Sequence, residues 1–166
     1  MPRHLKSFYV GYDKRDIERD MGVLFISLCT TKKEIMKITQ VMLNSLTEQA
    51  KASERLRMNL DLRNSDTDGS QRMLNAIEPG SILPIHRHQK TSETMVCLRG
   101  KLRVEYYDEL ERICTDSFII EPGGFNVAVS IPIGVWHTVH ALESGTCILE
   151  MKNGAYEPLS DVDILK

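Results

Sequence analysis

From residue 55 onward the sequence alternates apolar and polar residues with a period of two, in short runs separated by glycine and proline. In the first run, RLRMNLDLR (55–63), every second residue is apolar. This period is typical of strands that have one buried face. Many short strands with turn residues at the breaks predict an all-β sandwich or barrel over residues 55–166. The later runs are QRMLNAI, SILPIHRH, ETMVCLRG, KLRVEYYD, RICTDSFII, FNVAVSIP, WHTVHAL and CILEMKN.

The segment before this region has a helical period. In MKITQVMLNSLTEQAKAS (36–53), apolar residues recur at helical spacing with good helix formers between them. We therefore predict one amphipathic helix over residues 36–54, packed against the β domain. Its apolar positions are Ile38, Val41, Met42, Leu46 and Ala50.

Residues 1–35 show no sustained period and form an N-terminal extension. Their apolar run, MGVLFISLC (21–29), is far shorter than the roughly 20 residues that span a bilayer, and it lacks the flanks of a signal peptide. One interpretation is an extra strand or helix on the β domain, with Phe25 and Ile26 buried. The other is a misassigned start, with translation beginning at Met36. We expect a poorly ordered, dispensable segment.

Charge and cysteine usage narrow the classes of function. A net charge of −2 and a pI near 6.2, with no basic face, argue against nucleic-acid binding. The cysteines are widely separated and form no CxxC pair, and three of them lie in strand-like runs. This usage favours a reduced, cytoplasmic protein with no membrane segment. The four are Cys29, Cys97, Cys114 and Cys147.

Histidine and glutamate form the strongest candidate site. His86 and His88 are two residues apart, so on a strand they point to the same face, and a turn at QKTS would bring Glu93 back on the neighbouring strand. With His137 they make a mixed N/O set that suits a first-row divalent metal. Neutral imidazole and ionised carboxylate are both available near pH 7. The alternative is a set of ordinary residues on a β-rich surface.

The spacing of these residues resembles that of a known superfamily. GSILPIHRHQKTSETMVCLRG (80–100) is similar to the first signature of the cupin superfamily at every fixed position, and IPIGVWH (131–137) is similar to the second. Asn126 and Ala141 depart from the second signature, at positions that are not ligands. The resemblance implies a cupin (double-stranded β-helix, or jelly-roll) barrel with an N-terminal helix. Inside it, His86, His88, Glu93 and His137 would share one metal.

A narrower resemblance covers residues 36–158. The runs RLRMNLD, SILPIHRHQKTSETMVCLRGKLRV, IPIGVWHTV and LEMKNGAYEP resemble the WbuC family of cupin-fold metalloproteins. That family is associated by genomic context with bacterial surface-polysaccharide gene clusters, and its reaction is not established. Arg57 and Lys152 match its basic positions and would hold an anionic group of a substrate, or serve as solvated cations.

Three classes of function fit these observations. The first is an enzyme that uses one divalent transition metal (Fe, Mn, Zn or Ni) on a small polar molecule such as a sugar or sugar nucleotide. The second is a non-catalytic cupin that binds a small ligand. The third is a metal-independent sugar-nucleotide epimerase or isomerase, with histidine as base and a tyrosine as acid. Tyr106 is in phase with Leu102 and Val104, so it is a third substrate-binding candidate whose hydroxyl would reach the site; the alternative is a core tyrosine.

Other side chains receive structural interpretations. Cys97 is in phase with Glu93 and is assigned to packing, and Trp136 is assigned to packing or a dimer contact. His140 is out of phase with His137 and is excluded as a ligand. Open sheet edges and outward apolar side chains predict a homodimer. The outward set is Val96, Leu98 and Val139.

Overall fold

The structure, a computed structural model, describes residues 35–165, and eight strands form the main secondary structure of this part of the chain. One α-helix precedes the strands and one short 3₁₀ helix, Asp161–Asp163, follows them within these residues. The predicted all-β fold with a helix at its N-terminal side is confirmed. The elements are α1 (Gln40–Ala52), β1 (Arg57–Asp61), β2 (Ser70–Ile77), β3 (Glu93–Arg99), β4 (Leu102–Tyr107), β5 (Cys114–Ile120), β6 (Ala128–Ile131), β7 (Trp136–Ala141) and β8 (Thr146–Asn153).

The strands form two antiparallel sheets with the main core in contact with both. The larger sheet has the order β1-β2-β8-β3-β6, and the smaller has the order β5-β4-β7. Inward side chains alternate with outward ones along each strand, and every fully buried Leu or Ile adds about 1.5–3 kcal/mol to stability. The buried core consists of Ile77, Met95, Cys97, Leu102, Val104, Ile120, Ile131, Val139, Ala141 and Ile148.

Helix α1 covers part of the larger sheet with a face that only partly matches the prediction: Leu46 and Ala50 are buried as expected, whereas two other predicted positions are exposed. It begins after Thr39, whose hydroxyl accepts a hydrogen bond from the Met42 amide at 3.3 Å, so it is shorter than the predicted 36–54. Ile38 and Val41, expected on the packed face, are 43% and 58% exposed. The buried positions are Leu43, Leu46, Thr47 and Ala50.

Arg99, at the end of β3, fixes this orientation of α1. Its guanidinium donates to the Asn44 side chain at 2.6 Å, to the Leu43 carbonyl at 3.2 Å and to the Thr47 hydroxyl at 2.5 Å. It also donates to the Gly145 carbonyl at 2.9 Å. Hydrogen bonds to a charged donor are stronger than neutral ones, so Arg99 selects the helix face that carries these acceptors.

The run SILPIHRH, predicted as a strand, pairs only around His86. The amides and carbonyls of His86 and His137 exchange hydrogen bonds of 2.9 and 2.8 Å. On the other side, the Leu165 amide donates to the Ile85 carbonyl at 2.9 Å and the Arg87 amide donates to Asp163 at 3.1 Å. We call residues 85–88 the histidine segment; it lies between β7 and residues 163–165.

The apolar side chains predicted to face outward are not all exposed. Val139, predicted to face outward, is 5% exposed in the core, because it shares the inward parity of His137 on β7. Val96 and Leu98 are half-buried, and Leu98 packs under α1.

Phe25 and Ile26 lie outside the described residues, so the interpretation of residues 1–35 stays a prediction. Within residues 35–165 no helix is long and apolar enough to cross a membrane.

Candidate metal centre

The two sheets and the histidine segment bring the four predicted ligands together. Glu93 is the first residue of β3 in the larger sheet, and His137 is the second residue of β7 in the smaller one. His86 and His88 come from the histidine segment. One nitrogen or oxygen atom from each side chain lies within 4.8 Å of the others, which is close to the separation of ligands on one ion at about 2.1 Å. We call these four residues the ligand quartet.

Three atoms of the ligand quartet are buried without a hydrogen-bond partner. Glu93 Oε2 lies 3.1 Å from His88 Nε2 and 3.2 Å from His137 Nε2. These distances are short enough for hydrogen bonds, but the angles are not suitable, and all three atoms remain unsatisfied. Buried polar atoms without partners destabilise a fold. A cation between them would satisfy all three, so the residues fit a metal ion.

The imidazole rings of His86 and His137 are already oriented for ligation. Nδ1 of His86 lies 3.0 Å from the Pro84 carbonyl oxygen, and Nδ1 of His137 lies 2.9 Å from that of Val135. A carbonyl only accepts, so each Nδ1 carries the proton and each Nε2 keeps its lone pair. Metal-bound histidines commonly make this contact, which fixes both tautomer and ring orientation.

The electrostatics of the site favour the protonation states that a metal needs. Burial, with a smaller contribution from His137, lowers the pKa of His86 to about 4. Burial alone would raise the pKa of Glu93, but His137, His88 and Lys152 outweigh it and hold this pKa well below its usual value. At neutral pH, His86 is therefore neutral and Glu93 ionised, so neither must lose a proton to bind a cation.

The local structure explains why glycine occurs at two positions of the cupin-like signatures. Gly134 has φ +81°, and its amide donates to the His88 carbonyl at 2.9 Å, which connects the turn before β7 to the histidine segment. Gly100 has φ +76°, and a Cβ there would lie 2.7 Å from the Thr146 Cα. A larger residue is therefore excluded by contact at Gly100, whereas at Gly134, where a Cβ would meet nothing within 4 Å, it is disfavoured by the positive φ alone.

A cavity of about 140 Å³ adjoins the ligand quartet inside the barrel. We call it the inner cavity. His86, Glu93 and His137 reach it, together with both predicted substrate-binding cations, Arg57 and Lys152. Other polar side chains in its wall are Arg55, Asn59, Asn75 and Glu150.

The two cations of the inner cavity are held in place by neighbouring groups. Arg57 donates to the Ile82 carbonyl at 2.7 Å. Lys152 Nζ lies 2.7 Å from Glu150 Oε1 and 3.8 Å from Glu93 Oε1. Burial alone would lower the pKa of Lys152, but Glu150 and Glu93 outweigh it and raise this pKa, so the ammonium stays charged.

The sequence analysis did not identify Glu150 and Asn75 as residues of the site. The Asn75 amide donates to Glu150 Oε2 at 2.8 Å, which supports the partner of Lys152. The spacing of residues along β8 could have identified Glu150. Ile148, Glu150 and Lys152 are every second residue of this strand, so an acidic and a basic side chain share the inward face with a core residue.

The tyrosine candidate lies away from the inner cavity. Tyr106 pairs with His137 across β4 and β7, but its ring packs against Phe118, with 5.8 Å between centroids, and is not in the cavity wall. Burial raises the pKa of its hydroxyl. The geometry corresponds to a core tyrosine.

The three side chains assigned structural roles lie outside the quartet. His140 Nε2 is 3.2 Å from Glu105 Oε2. Cys97 is buried in the core, where burial raises its pKa to about 11. Trp136 is 5% exposed and packs under the Arg87 guanidinium, 4.5 Å from its ring centroid, so it has a packing role.

Comparison with known proteins identifies the fold. The model of a domain of unknown function, DUF6016, matches residues 38–119, and no curated protein matches the sequence. A recombinant oxalate oxidase in complex with glycolate has a TM-score of 0.53 at 18% identity, covering 68% of this chain and 58% of its own. CapF with the inhibitor 3-isopropenyl-tropolone has a TM-score of 0.50 at 19% identity, covering 60% and 28%. KdgF from Halomonas sp. has a TM-score of 0.49 at 14% identity, covering 60% and 82%.

The comparisons with the oxalate oxidase and CapF establish the fold as the cupin β-sandwich, in agreement with the two antiparallel sheets. The ligand quartet draws one residue from each sheet and two from the histidine segment. The chain is thus a cupin-fold protein with a cluster of four side chains that could hold a metal.

Proposed function

We propose that this protein is a metal-dependent cupin enzyme that acts on a small polar molecule, a sugar or sugar nucleotide, in bacterial surface-polysaccharide biosynthesis. The observation that carries the metal is the convergence of three buried, unsatisfied ligand atoms, from His88, Glu93 and His137. Membership of the WbuC family is part of the proposal and is supported by the motifs quoted above. The polysaccharide role depends on that resemblance.

The ligand quartet would hold one divalent transition metal (Fe, Mn, Zn or Ni), which would supply Lewis-acid or redox chemistry at two positions left open by four protein ligands. The protein's own contribution is binding and orientation. Arg57 and Lys152 present positive charge to the inner cavity from the side of β1 and β8. An anionic group would be attracted there, next to the metal.

The other two classes of function are less well supported. A metal-independent epimerase needs a tyrosine acid, and Tyr106 lies outside the inner cavity against Phe118. It also has no need for the Glu93 carboxylate. A non-catalytic cupin would use the same residues as the enzyme, so only a turnover measurement separates the two.

Metal analysis tests the proposal most directly. Protein purified without added metal, or refilled with Fe, Mn, Zn or Ni, should contain about one ion per chain, because four preorganised ligands converge on one point. Loaded and chelator-treated samples would then be compared for turnover of sugars and sugar nucleotides. Protein that takes up none of the four metals would rule the proposal out, whereas metal binding with no turnover would favour the non-catalytic cupin.

A homodimer is a further proposal. The outer edge of β5 has no strand partner among the described residues, and most of this strand is exposed. Nearby apolar side chains such as Ile119, Val127 and Ile133 are 39%, 48% and 54% exposed. Two-fold pairing commonly covers such edges. Light scattering at tens of micromolar should give twice the chain mass, and a monomer mass would reject the dimer.

The cytoplasmic location also remains a proposal. Cys97 and Cys147 are free buried thiols, and Cys114 is a free exposed one. Free thiols suit a reducing compartment. Cell fractionation that places the protein in the periplasm or outside the cell would overturn this location.

A further inference from the structure

A second, larger space opens beside the ligand quartet. It has a volume of about 750 Å³ and lies between residues 86–91 and residues 154–163. We call it the outer groove. His86 and Lys152 line both the outer groove and the inner cavity, so the two spaces adjoin the same two side chains next to the candidate metal centre.

The walls of the outer groove are connected by side-chain contacts. The Gln71 amide donates to the Gly154 and Ala155 carbonyls, both at 3.2 Å, at the start of the C-terminal wall. Lys90 pairs with Glu157 at 2.8 Å farther along. These contacts hold the groove in shape in the absence of a ligand. Less conformational entropy is therefore lost when a ligand binds.

The charges that line the outer groove are already paired. Arg87 Nε lies 3.7 Å from Asp163 and Lys90 lies 2.8 Å from Glu157. Lys152 lies 2.7 Å from Glu150. Diphosphates are usually held by unpaired cations or by backbone amides at a helix N-terminus. The paired charges therefore make the groove a poor site for a nucleoside diphosphate.

The uncharged lining fits a different ligand. It offers the amide oxygens of two glutamines whose NH2 groups already donate elsewhere, hydroxyl groups, and a half-exposed tyrosine whose ring carries the Arg63 guanidinium 5.5 Å from its centroid. This combination suits a ring that carries many hydroxyl groups and no charge. The side chains concerned are Gln71, Gln89, Thr91, Tyr156 and Ser160.

The different sizes of the two spaces imply that a ligand places a small part in one and a larger part in the other. The inner cavity, at about 140 Å³, is below the roughly 300–1,000 Å³ of ordinary ligand pockets, whereas the outer groove lies within that range. Only a small head can enter the inner cavity. Its wall carries three cationic side chains against two carboxylates, so it favours a carboxylate even though Lys152 is paired with Glu150. The body of the ligand must occupy the outer groove.

We infer that the site takes a monosaccharide carboxylic acid, with the carboxylate in the inner cavity beside the ligand quartet and the sugar ring in the outer groove against Tyr156. The inference rests on the proposed function and narrows its substrate from sugars and sugar nucleotides to sugar acids. Tyr156 then acts as a specificity-determining residue that contacts the ring and not the carboxylate.

Calorimetric titration of the full, metal-loaded chain tests this inference with three probes: D-glucuronate, glycolate as the head alone, and UDP-glucuronate. D-glucuronate should bind at least tenfold more tightly than glycolate, and UDP-glucuronate should bind no more tightly than glycolate. Tyr156→Ala should lower the affinity for D-glucuronate by roughly five- to tenfold, the usual effect of losing one aromatic contact. The affinity for glycolate should not change. Phe125→Ala is the matched control, since this exposed aromatic lies outside both spaces.

The outcomes separate this inference from the proposed function. Tight binding of UDP-glucuronate, or equal affinity for D-glucuronate and glycolate, would overturn the sugar-acid assignment while leaving the metal centre intact. So would a Tyr156→Ala variant that loses both ligands equally. Metal content, measured on each sample, reports on the proposed function alone; protein that holds no metal overturns both.

Discussion

Replacing His88 or Glu93 with alanine should lower the bound metal at least tenfold. Each change removes one bond to the ion, and loss of a residue that merely supports a ligand already costs about 10- to 100-fold in affinity. Glu93 also supplies the only negative charge of the ligand quartet. Metal per chain, measured after gel filtration of wild type and variants, gives the result directly.

His140→Ala is the matched control for the ligand variants. His140 lies on β7 three residues after His137, but its Nε2 contacts Glu105 and not the ligand quartet. This variant should keep its metal. Loss of metal from the His140 variant together with retention in the Glu93 variant would show that the ligands have been assigned to the wrong residues. Circular dichroism of each variant would separate loss of a ligand from loss of the fold.

The metal-free protein should lose about 3 kcal/mol of unfolding free energy as the pH falls from 6.5 to about 4, because the pKa of His86 is lowered from 6.5 to about 4 in the folded state. The unfolded chain takes up a proton on this imidazole through that range, whereas the folded chain does not. Stability is thus fully present above pH 6.5 and decreases below it. Urea titrations of chelator-treated protein at several pH values would measure the change.

His86→Gln isolates the contribution of this imidazole. The lowered pKa of Glu93 acts below the ordinary carboxyl pKa of 4.5. Burial raises the pKa of Glu150, which therefore acts above 4.5, but it does so in both proteins. The difference between variant and wild type from pH 4.5 to 6.5 thus reports on His86. In that interval the variant should show a much flatter dependence of unfolding free energy on pH. Equal slopes for the variant and the wild type would show that His86 is not held in a buried, neutral state.

The ligand quartet could be predicted from the sequence because its positions follow from local rules. A two-residue spacing directs His86 and His88 to one side, and a short turn returns the chain to Glu93. Most strand predictions succeeded for the same reason, since alternation is visible within each run; the exception is SILPIHRH, which pairs only around His86. Similarity to the cupin signatures supplied the long-range partner, His137, which no local pattern could connect to the others.

The features that were missed depend on contacts between distant parts of the chain. The buried face of α1 is determined by acceptors for Arg99, which lies far along the sequence on β3. Glu150 becomes part of the site through Lys152 and Asn75, on two adjacent strands. Local periodicity shows that Glu150 and Lys152 share one face of β8, but it contains neither the contact with Asn75 nor those of Arg99. The prediction therefore placed Ile38 and Val41 on the packed side, where the structure exposes them.

The pairing of the histidine segment with residues 163–165 has a consequence for biosynthesis. His86, His88 and Glu93 leave the ribosome well before Asp163 and Leu165, whose backbones hold one side of the histidine segment. During translation the ligands are therefore present in the nascent chain while the frame that orients them is incomplete. A metal held by the ligand quartet would therefore meet the complete frame only after this last pairing has formed, and the metals available at that stage of synthesis would influence which ion is bound.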